Sequence, residues 1–207
     1  MKILNADFVT SAVRADDIPR DDLARIALVG RSNVGKSSLI NALARAKIAR
    51  TSAAPGKTRL VNFYRVTIDG GSEGPGRWSA YLVDLPGYGY ARGGPGAAAE
   101  LAAVSEAYFA DCAAGRTAFR AGTLLLVDSR HPGMPADRDA ASWLNELETP
   151  FTLVATKIDK LTRAERTRNL KTLETTFGMT ALPVSAASGE GMDGLWRTIA
   201  RLARNAA

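Results

Sequence analysis

Apolar positions along the chain switch repeatedly between a strand-like and a helix-like period. Arg25-Ile-Ala-Leu-Val29 is a short apolar run that stops at Gly30, the pattern of a buried strand. Leu39, Ile40 and Leu43 recur at helical spacing within Lys36–Ala46 and predict an amphipathic helix there. Val61–Ile68 is aromatic and β-branched, and the glycine-rich stretch from Gly70 to Gly76 predicts a turn back into an antiparallel strand over Trp78–Val83. Asp84–Gly96 holds five glycines and two prolines and reads as a mobile loop. Leu101, Val104, Tyr108 and Phe109 then predict a helix, and Thr123–Val127 a further buried strand. Pro135 opens a helix expected to turn Trp143, Leu144 and Leu147 to one face. Phe151–Ala155 is the fifth strand, and Thr162-Arg-Ala-Glu165 is a capping box opening the next helix. Leu182–Ser185 supplies a sixth strand, and Leu195, Ile199 and Leu202 define a terminal helix.

Strands and helices in such alternation predict an α/β architecture with a doubly wound, mostly parallel sheet of six strands, one of them antiparallel. Residues 25–207 read as one domain, with 1–24 an N-terminal extension packed on it.

Composition narrows the class without changing that picture. The chain has 207 residues, 46% apolar and 23% charged, enough for a single core. Nothing approaches the roughly 18 apolar residues of a membrane span, and residues 1–11 lack the long apolar segment and cleavage pattern of a secretory signal, so a cytoplasmic protein is expected. The single Cys112 excludes an internal disulfide and a cysteine zinc cluster, and His131 is the one histidine. The 27 bases exceed the 21 acids, and between Arg25 and Ile68 there are nine bases and no acid, which points to polyanion contact.

Gly30-Arg31-Ser32-Asn33-Val34-Gly35-Lys36-Ser37 fits the G-x-x-x-x-G-K-S/T phosphate loop, and lies where it must, between a strand and a helix. Backbone N–H groups and the helix N-terminus, including Ser38, face a β-phosphate there. Lys36 reaches the β- and γ-phosphates, and the Ser37 hydroxyl is a candidate Mg2+ ligand. In Asp84-Leu85-Pro86-Gly87, about fifty residues on, the acid can hold Mg2+ through water and the Gly87 N–H can meet a γ-phosphate.

Base identity comes from Thr156-Lys157-Ile158-Asp159 at the end of the fifth strand. A carboxylate at Asp159 accepts from guanine N1–H and the N2 amine, whereas adenine offers neither and would leave it desolvated and unmatched. The Lys157 stem would lie along the base, and Val184-Ser185-Ala186 offers a backbone N–H to guanine O6. These pieces in this order favour guanine. A P-loop kinase, the competing enzyme class, is disfavoured by Asp159.

The chain resembles the EngB family of bacterial GTP-binding proteins. The resemblance rests on Gly30–Leu39, Thr51–Tyr64 (with Pro-Gly56-Lys57-Thr58), Asp84–Ala91, Val127–Pro132 and Thr156–Asp159, and spans residues 5–204. It implies a three-layer, Ras-like P-loop GTPase fold and Mg2+-dependent binding of GTP and GDP. It also implies slow hydrolysis and roles in assembling the large ribosomal subunit and in normal septation during cell division. Thr58 would close on Mg2+ and the γ-phosphate. Tyr88 stands where Ras-like enzymes carry a water-orienting glutamine, which implies slow intrinsic hydrolysis. Thr156 replaces the more usual asparagine, predicting a lost tie between loops and easy nucleotide exchange. Asn33 is a candidate K+ ligand beside the phosphates; an asparagine stabilising its own turn explains it equally.

Arg197, Arg201 and Arg204 recur at i, i+4 and i+7, opposite the apolar stripe of the terminal helix. Together with Arg45, Lys47, Arg50, Arg59 and Arg65 they are candidates for phosphate contact with ribosomal RNA, and a solvated helix face is the plainer reading. Tyr88 and Tyr90 can stack on bases or pack on the protein. The expected partners are GTP/GDP and the large ribosomal subunit or its precursor, with no DNA, and a monomer is expected. A division-machinery switch with a protein partner is the other reading.

Overall fold

A computed structural model of the chain describes residues 1–50, 60–70, 76–88, 103, 105–110 and 121–205. Its strands are β1 (Lys2–Ala12), β2 (Ala24–Gly30), β3 (Val61–Asp69), β4 (Arg77–Asp84), β5 (Ala121–Asp128), β6 (Phe151–Thr156) and β7 (Leu182–Pro183). Its helices are α1 (Lys36–Ala44), α2 (seen over 105–110), α3 (Pro135–Glu146), α4 (Arg163–Phe177) and α5 (Met192–Asn205).

The strands form one sheet in the order β1-β3-β4-β2-β5-β6-β7. β3 alone runs against its neighbours, pairing antiparallel with β1 and β4, while the β4-β2-β5-β6-β7 pairings are parallel. The central strands are buried on both faces. Along β2, Ile26 and Leu28 pack toward α1 and α5, while Ala27 and Val29 pack with Tyr108, Leu144 and Leu173 from α2, α3 and α4. That divides the molecule into three layers, helices–sheet–helices.

Parallel strands bring their C-terminal ends to one edge of the sheet, where ligands bind in such folds. Leu28 is the register partner of Asp84, Gly30 of Leu126 and Asp128 of Thr156, so the ends of β2, β4, β5 and β6 lie side by side.

The sheet has seven strands where the sequence pattern predicts six. The additional strand, β1, escapes periodicity because its pairing with β3 slips between Ile3 and Asn5 and again between Phe8 and Thr10. Leu4 and Val9 are thus inserted residues that break the two-residue alternation, and both are exposed, with Phe8 and Val13. Such bulges also blunt an edge strand against further pairing.

Smaller expectations change as well. α1 stops at Ala44 rather than Ala46, because Arg45 turns left-handed (φ 51°) and donates its N–H back to the Ala42 carbonyl. On α3 the buried face is Asp137, Ala140, Ala141 and Leu144, with Trp143 partly buried and Leu147 exposed just past its end. The expected sixth strand, Leu182–Ser185, is shorter and covers only Leu182–Pro183, and the expected Gly70–Gly76 turn and Asp84–Gly96 loop lie largely outside the described residues. Leu39, Ile40, Leu43, Leu195 and Ile199 are buried, and both bonds of the Thr162/Glu165 capping box form. Leu101 and Val104 lie outside the described residues. Among the described residues no helix is long and apolar enough to cross a membrane.

Candidate functional site

The chain leaves β2 at Gly30 and enters α1 at Lys36 through a tight loop. Asn33 takes φ 64° and Gly35 φ 112°; the second of these is glycine territory. This turn aims the first N–H groups of α1 at the space above the strand ends. The Lys36 amine is buried and donates to the carbonyls of Gly30 (2.8 Å) and Arg31 (3.4 Å). Burial pushes it below the usual lysine range, with Asp84 pulling the other way. A polyanion is the ligand chemistry that offsets such a desolvated ammonium.

β4 delivers Asp84 beside it. Ser37 Oγ donates to Asp84 Oδ2 at 3.4 Å, while Asp84 Oδ1 is buried with no hydrogen-bond partner. Burial raises the Asp84 carboxyl, opposed by Lys36 and the Ser37 hydroxyl. A hydroxyl and a carboxylate with unused lone pairs fit a small hard cation such as Mg2+, which takes its remaining ligands from phosphate and water. Among the described residues no group of three His, Cys, Asp or Glu side chains forms an all-protein metal cage.

Leu85 and Pro86 are buried and lead the chain to Gly87, which lies against the phosphate loop. A Cβ at Gly87 would sit 2.9 Å from Ser32 N and Oγ and 3.0 Å from the Lys36 amine. The next carbonyl, of Tyr88, accepts from Ser32 N–H at 3.1 Å. The Tyr88 ring is not presented for stacking. It packs against the core, and its hydroxyl donates to Asp137 Oδ1 at 3.1 Å. Arg31 Nε donates to that same oxygen at 2.8 Å. Asp137, fully buried on α3, thus joins the phosphate loop to the segment after Asp84–Gly87. Burial raises its carboxyl, although the Arg31 bond opposes the shift. The sequence pattern carries no sign of this residue beyond an acid in the first turn of a helix.

The residues expected to read the base converge on the same loop. Thr156 ends β6, and its hydroxyl lies 2.8 Å from the Val34 carbonyl and 3.0 Å from that of Val127. The lost loop tie expected from replacing asparagine is therefore absent: the threonine hydroxyl itself makes the connection. Lys157 is left-handed (φ 61°), and its amine donates to the Asn33 carbonyl at 2.5 Å and to Asp128 Oδ2 at 2.8 Å. Ile158 is buried and donates its N–H to Val184 at 3.4 Å. Ser185 Oγ donates to Asp159 Oδ1 at 2.6 Å, and this bond holds the Asp159 carboxyl below its ordinary range. Ser185 also accepts from Ala187 and Ser188 N–H, which shapes the loop after Ala186.

An open cavity of about 500 Å3 adjoins this loop, lined by Ser38, Asn41, Arg45, Lys47, Ala49 and Ala186. Asn41 fixes its floor, exchanging two 2.8 Å bonds with the backbone of Ala49. The structure thus brings the Gly30–Ser38, Asp84–Gly87, Thr156–Asp159 and Val184–Ala186 segments to one edge. Gly56, Lys57, Thr58, Arg59 and Tyr90 lie outside the described residues.

The family described as 50S ribosome-binding GTPase matches residues 25–157. A relative from Solibacter usitatus (strain Ellin6076), named "Probable GTP-binding protein EngB", is 42% identical over 200 residues, 96% of each chain. The crystal structure of a probable GTP-binding protein engB is similar at TM-score 0.58 and 22% identity, over 88% of this chain and 99% of that one. Era in complex with MgGDPNP and a segment of 16S ribosomal RNA is similar at TM-score 0.66 and 22% identity, over 87% of this chain and 57% of that one. The two solved structures share the P-loop GTPase fold. With that fold, a phosphate loop, and a relative matched almost end to end, the chain is a GTPase and belongs to the EngB family of GTP-binding proteins.

Proposed function

We propose that this GTPase is a nucleotide-dependent switch in assembly of the large ribosomal subunit, acting in the cytoplasm as a monomer and needed for normal cell division and septation. The observation that carries the reading is an exposed arginine face in a chain matched to 50S ribosome-binding GTPases. Arg197, Arg201 and Arg204 all lie exposed along α5, away from the buried stripe of Leu195 and Ile199. Arg45, Lys47, Arg50 and Arg65 are exposed as well. Phosphate contacts from such a surface bind RNA without reading its sequence and weaken with salt. The Era structure, which holds ribosomal RNA, lends this reading support by likeness of fold only.

In the proposed chemistry water attacks the γ-phosphate in line. Lys36 stabilises charge on the phosphoryl oxygens, the Gly87 N–H meets the γ-phosphate, and Arg31–Ser38 supply backbone donors to the other phosphates. Ser37, Thr58 and, through water, Asp84 would hold Mg2+, which supplies charge neutralisation at the phosphates. Hydrolysis is slow, because Tyr88 stands in the water-orienting position with its hydroxyl engaged by Asp137. The base is read by Asp159 and the Ala186 loop, with Lys157 along its face. Residues 25–207 form the G domain and 1–24 its extension, which contributes β1 to the sheet. Asn33 would serve as a K+ ligand beside the phosphates; its left-handed backbone is one asparagine adopts readily in its own right. Equal hydrolysis rates in K+ and Na+ buffers would remove that role.

The test of the switch is co-sedimentation with large ribosomal subunits in GDP and in a non-hydrolysable GTP analogue, across a salt series. Binding in the GTP state that weakens with salt, and that Arg197→Glu/Arg201→Glu abolishes, is the expected result. Absence of binding in both states, with nucleotide occupancy confirmed, would move the partner to immature particles or to a protein of the division machinery.

A further inference from the structure

The Val127–Pro132 motif begins at the C-terminal end of β5. Its aspartate, Asp128, ends β5 directly beside Thr156 in register, one residue before Lys157. The Asp128 side chain is only 6% exposed, and the Lys157 amine reaches its Oδ2 at 2.8 Å. Arg130 takes the carboxylate from the other side, with Nε on Oδ1 at 3.0 Å, Nη2 on Oδ2 at 2.7 Å and its backbone N–H on Oδ1 at 3.1 Å. Such a two-pronged hold fixes the plane of the carboxylate. The Lys157 amine is then fastened at two points, Asp128 and the Asn33 carbonyl of the phosphate loop. Its backbone is held left-handed, a conformation that costs a non-glycine residue energy and collects at functional sites. An ion pair serving only to join β5 to β6 would require neither the strained backbone nor the bond to the phosphate loop.

We propose that Asp128 is a positioning residue for purine recognition: braced by Arg130, it fixes Lys157 so that the lysine stem forms one wall of the base slot. The proposal rests on the guanine-nucleotide reading of this site. It separates two tasks, since Asp159 reads the edge of the base whereas Asp128 acts, through Lys157, on its face. Loss of Asp128 therefore weakens guanosine and inosine diphosphates equally, because they differ only at the N2 amine that Asp159 meets.

Calorimetric titration of the full chain with GDP and with inosine diphosphate tests this. Asp128→Asn should bind both about tenfold more weakly than the parent chain, the scale of one charge-assisted hydrogen bond lost. Asp159→Asn should instead lose the preference for GDP over inosine diphosphate. In a Lys157→Ala background Asp128→Asn should add no further loss. The proposal is overturned if Asp128→Asn binds GDP as tightly as the parent. It also fails if the variant changes the GDP-to-inosine diphosphate ratio, or lowers affinity by the same factor with Lys157 gone. Failure of the parent chain itself to bind GDP would be a different result, striking the base-site reading. A melting transition shows whether each variant is folded. Should Asp128→Asn not fold, Arg130→Gln on the exposed rim takes its place: about threefold weaker GDP binding supports the bracing, and unchanged binding overturns it.

Discussion

The Thr156 hydroxyl lies 2.8 Å from the Val34 carbonyl, joining the Thr156–Asp159 segment to the phosphate loop across 122 residues of sequence. The same oxygen lies 3.0 Å from the Val127 carbonyl, so a single buried hydroxyl ties three segments. Thr156→Val keeps the shape and removes the donor. The expected cost is about 1–2 kcal/mol in urea unfolding, the scale for a buried hydrogen bond left unmade. Faster GDP release, followed by stopped flow, should accompany it, because the two loops then move independently.

Asp137 is the second junction. Asp137→Ala leaves the Arg31 guanidinium, 16% exposed, without its carboxylate, and should cost about 3 kcal/mol in equilibrium unfolding. Tyr88→Phe removes only the hydroxyl bond to the same oxygen and should cost about 1 kcal/mol. Equal effects of the two variants would contradict the view that the Arg31 bond dominates.

Gly87→Ala places a Cβ 2.9 Å from the backbone nitrogen of Ser32, a contact that displaces residues 87 and 88 from the phosphate loop. The Gly87 N–H is the donor proposed for the γ-phosphate, so binding of a non-hydrolysable GTP analogue should fall about tenfold or more while GDP binding stays near the parent value. Parallel loss for both nucleotides would show that Gly87 does not sense the third phosphate.

Asp128 makes stability depend on pH. Burial alone would raise its carboxyl, but the bonds from Arg130 and Lys157 outweigh burial and hold it at about 2, below the ordinary 3.8. A depressed folded-state value means that the stabilisation is complete above the unfolded value and is lost as pH falls through the folded one. The gap between parent and Asp128→Asn, about 2 kcal/mol at pH 7, should hold to pH 5 and narrow below about 4. Urea unfolding at pH 7, 5 and 3 measures it; a gap unchanged or wider at pH 3 would refute the assignment.

Much of the site was legible because its parts are contiguous runs whose geometry is local. Gly30–Ser37 is a strand–loop–helix junction, and Thr162–Glu165 a capping box, each built from residues within a few positions of one another. What stayed hidden are long-range partners. Asp137 meets Arg31 across 106 residues, and Lys157 meets Asn33 across 124. β1 was hidden for another reason, as its two bulges erase the alternation by which a strand is recognised.

The alternation of strands and helices, the phosphate loop and a candidate base-reading carboxylate at Asp159 are legible in the sequence alone, because periodicity, turn chemistry and donor–acceptor inventory are properties of neighbouring residues. That Thr156 takes over the loop tie, that Tyr88 is engaged by Asp137 and that Asp128 holds Lys157 emerges only in the folded molecule. Those depend on which strand ends lie side by side and how α3 packs on the sheet, and the free energy of such contacts comes from burial that no local spacing records.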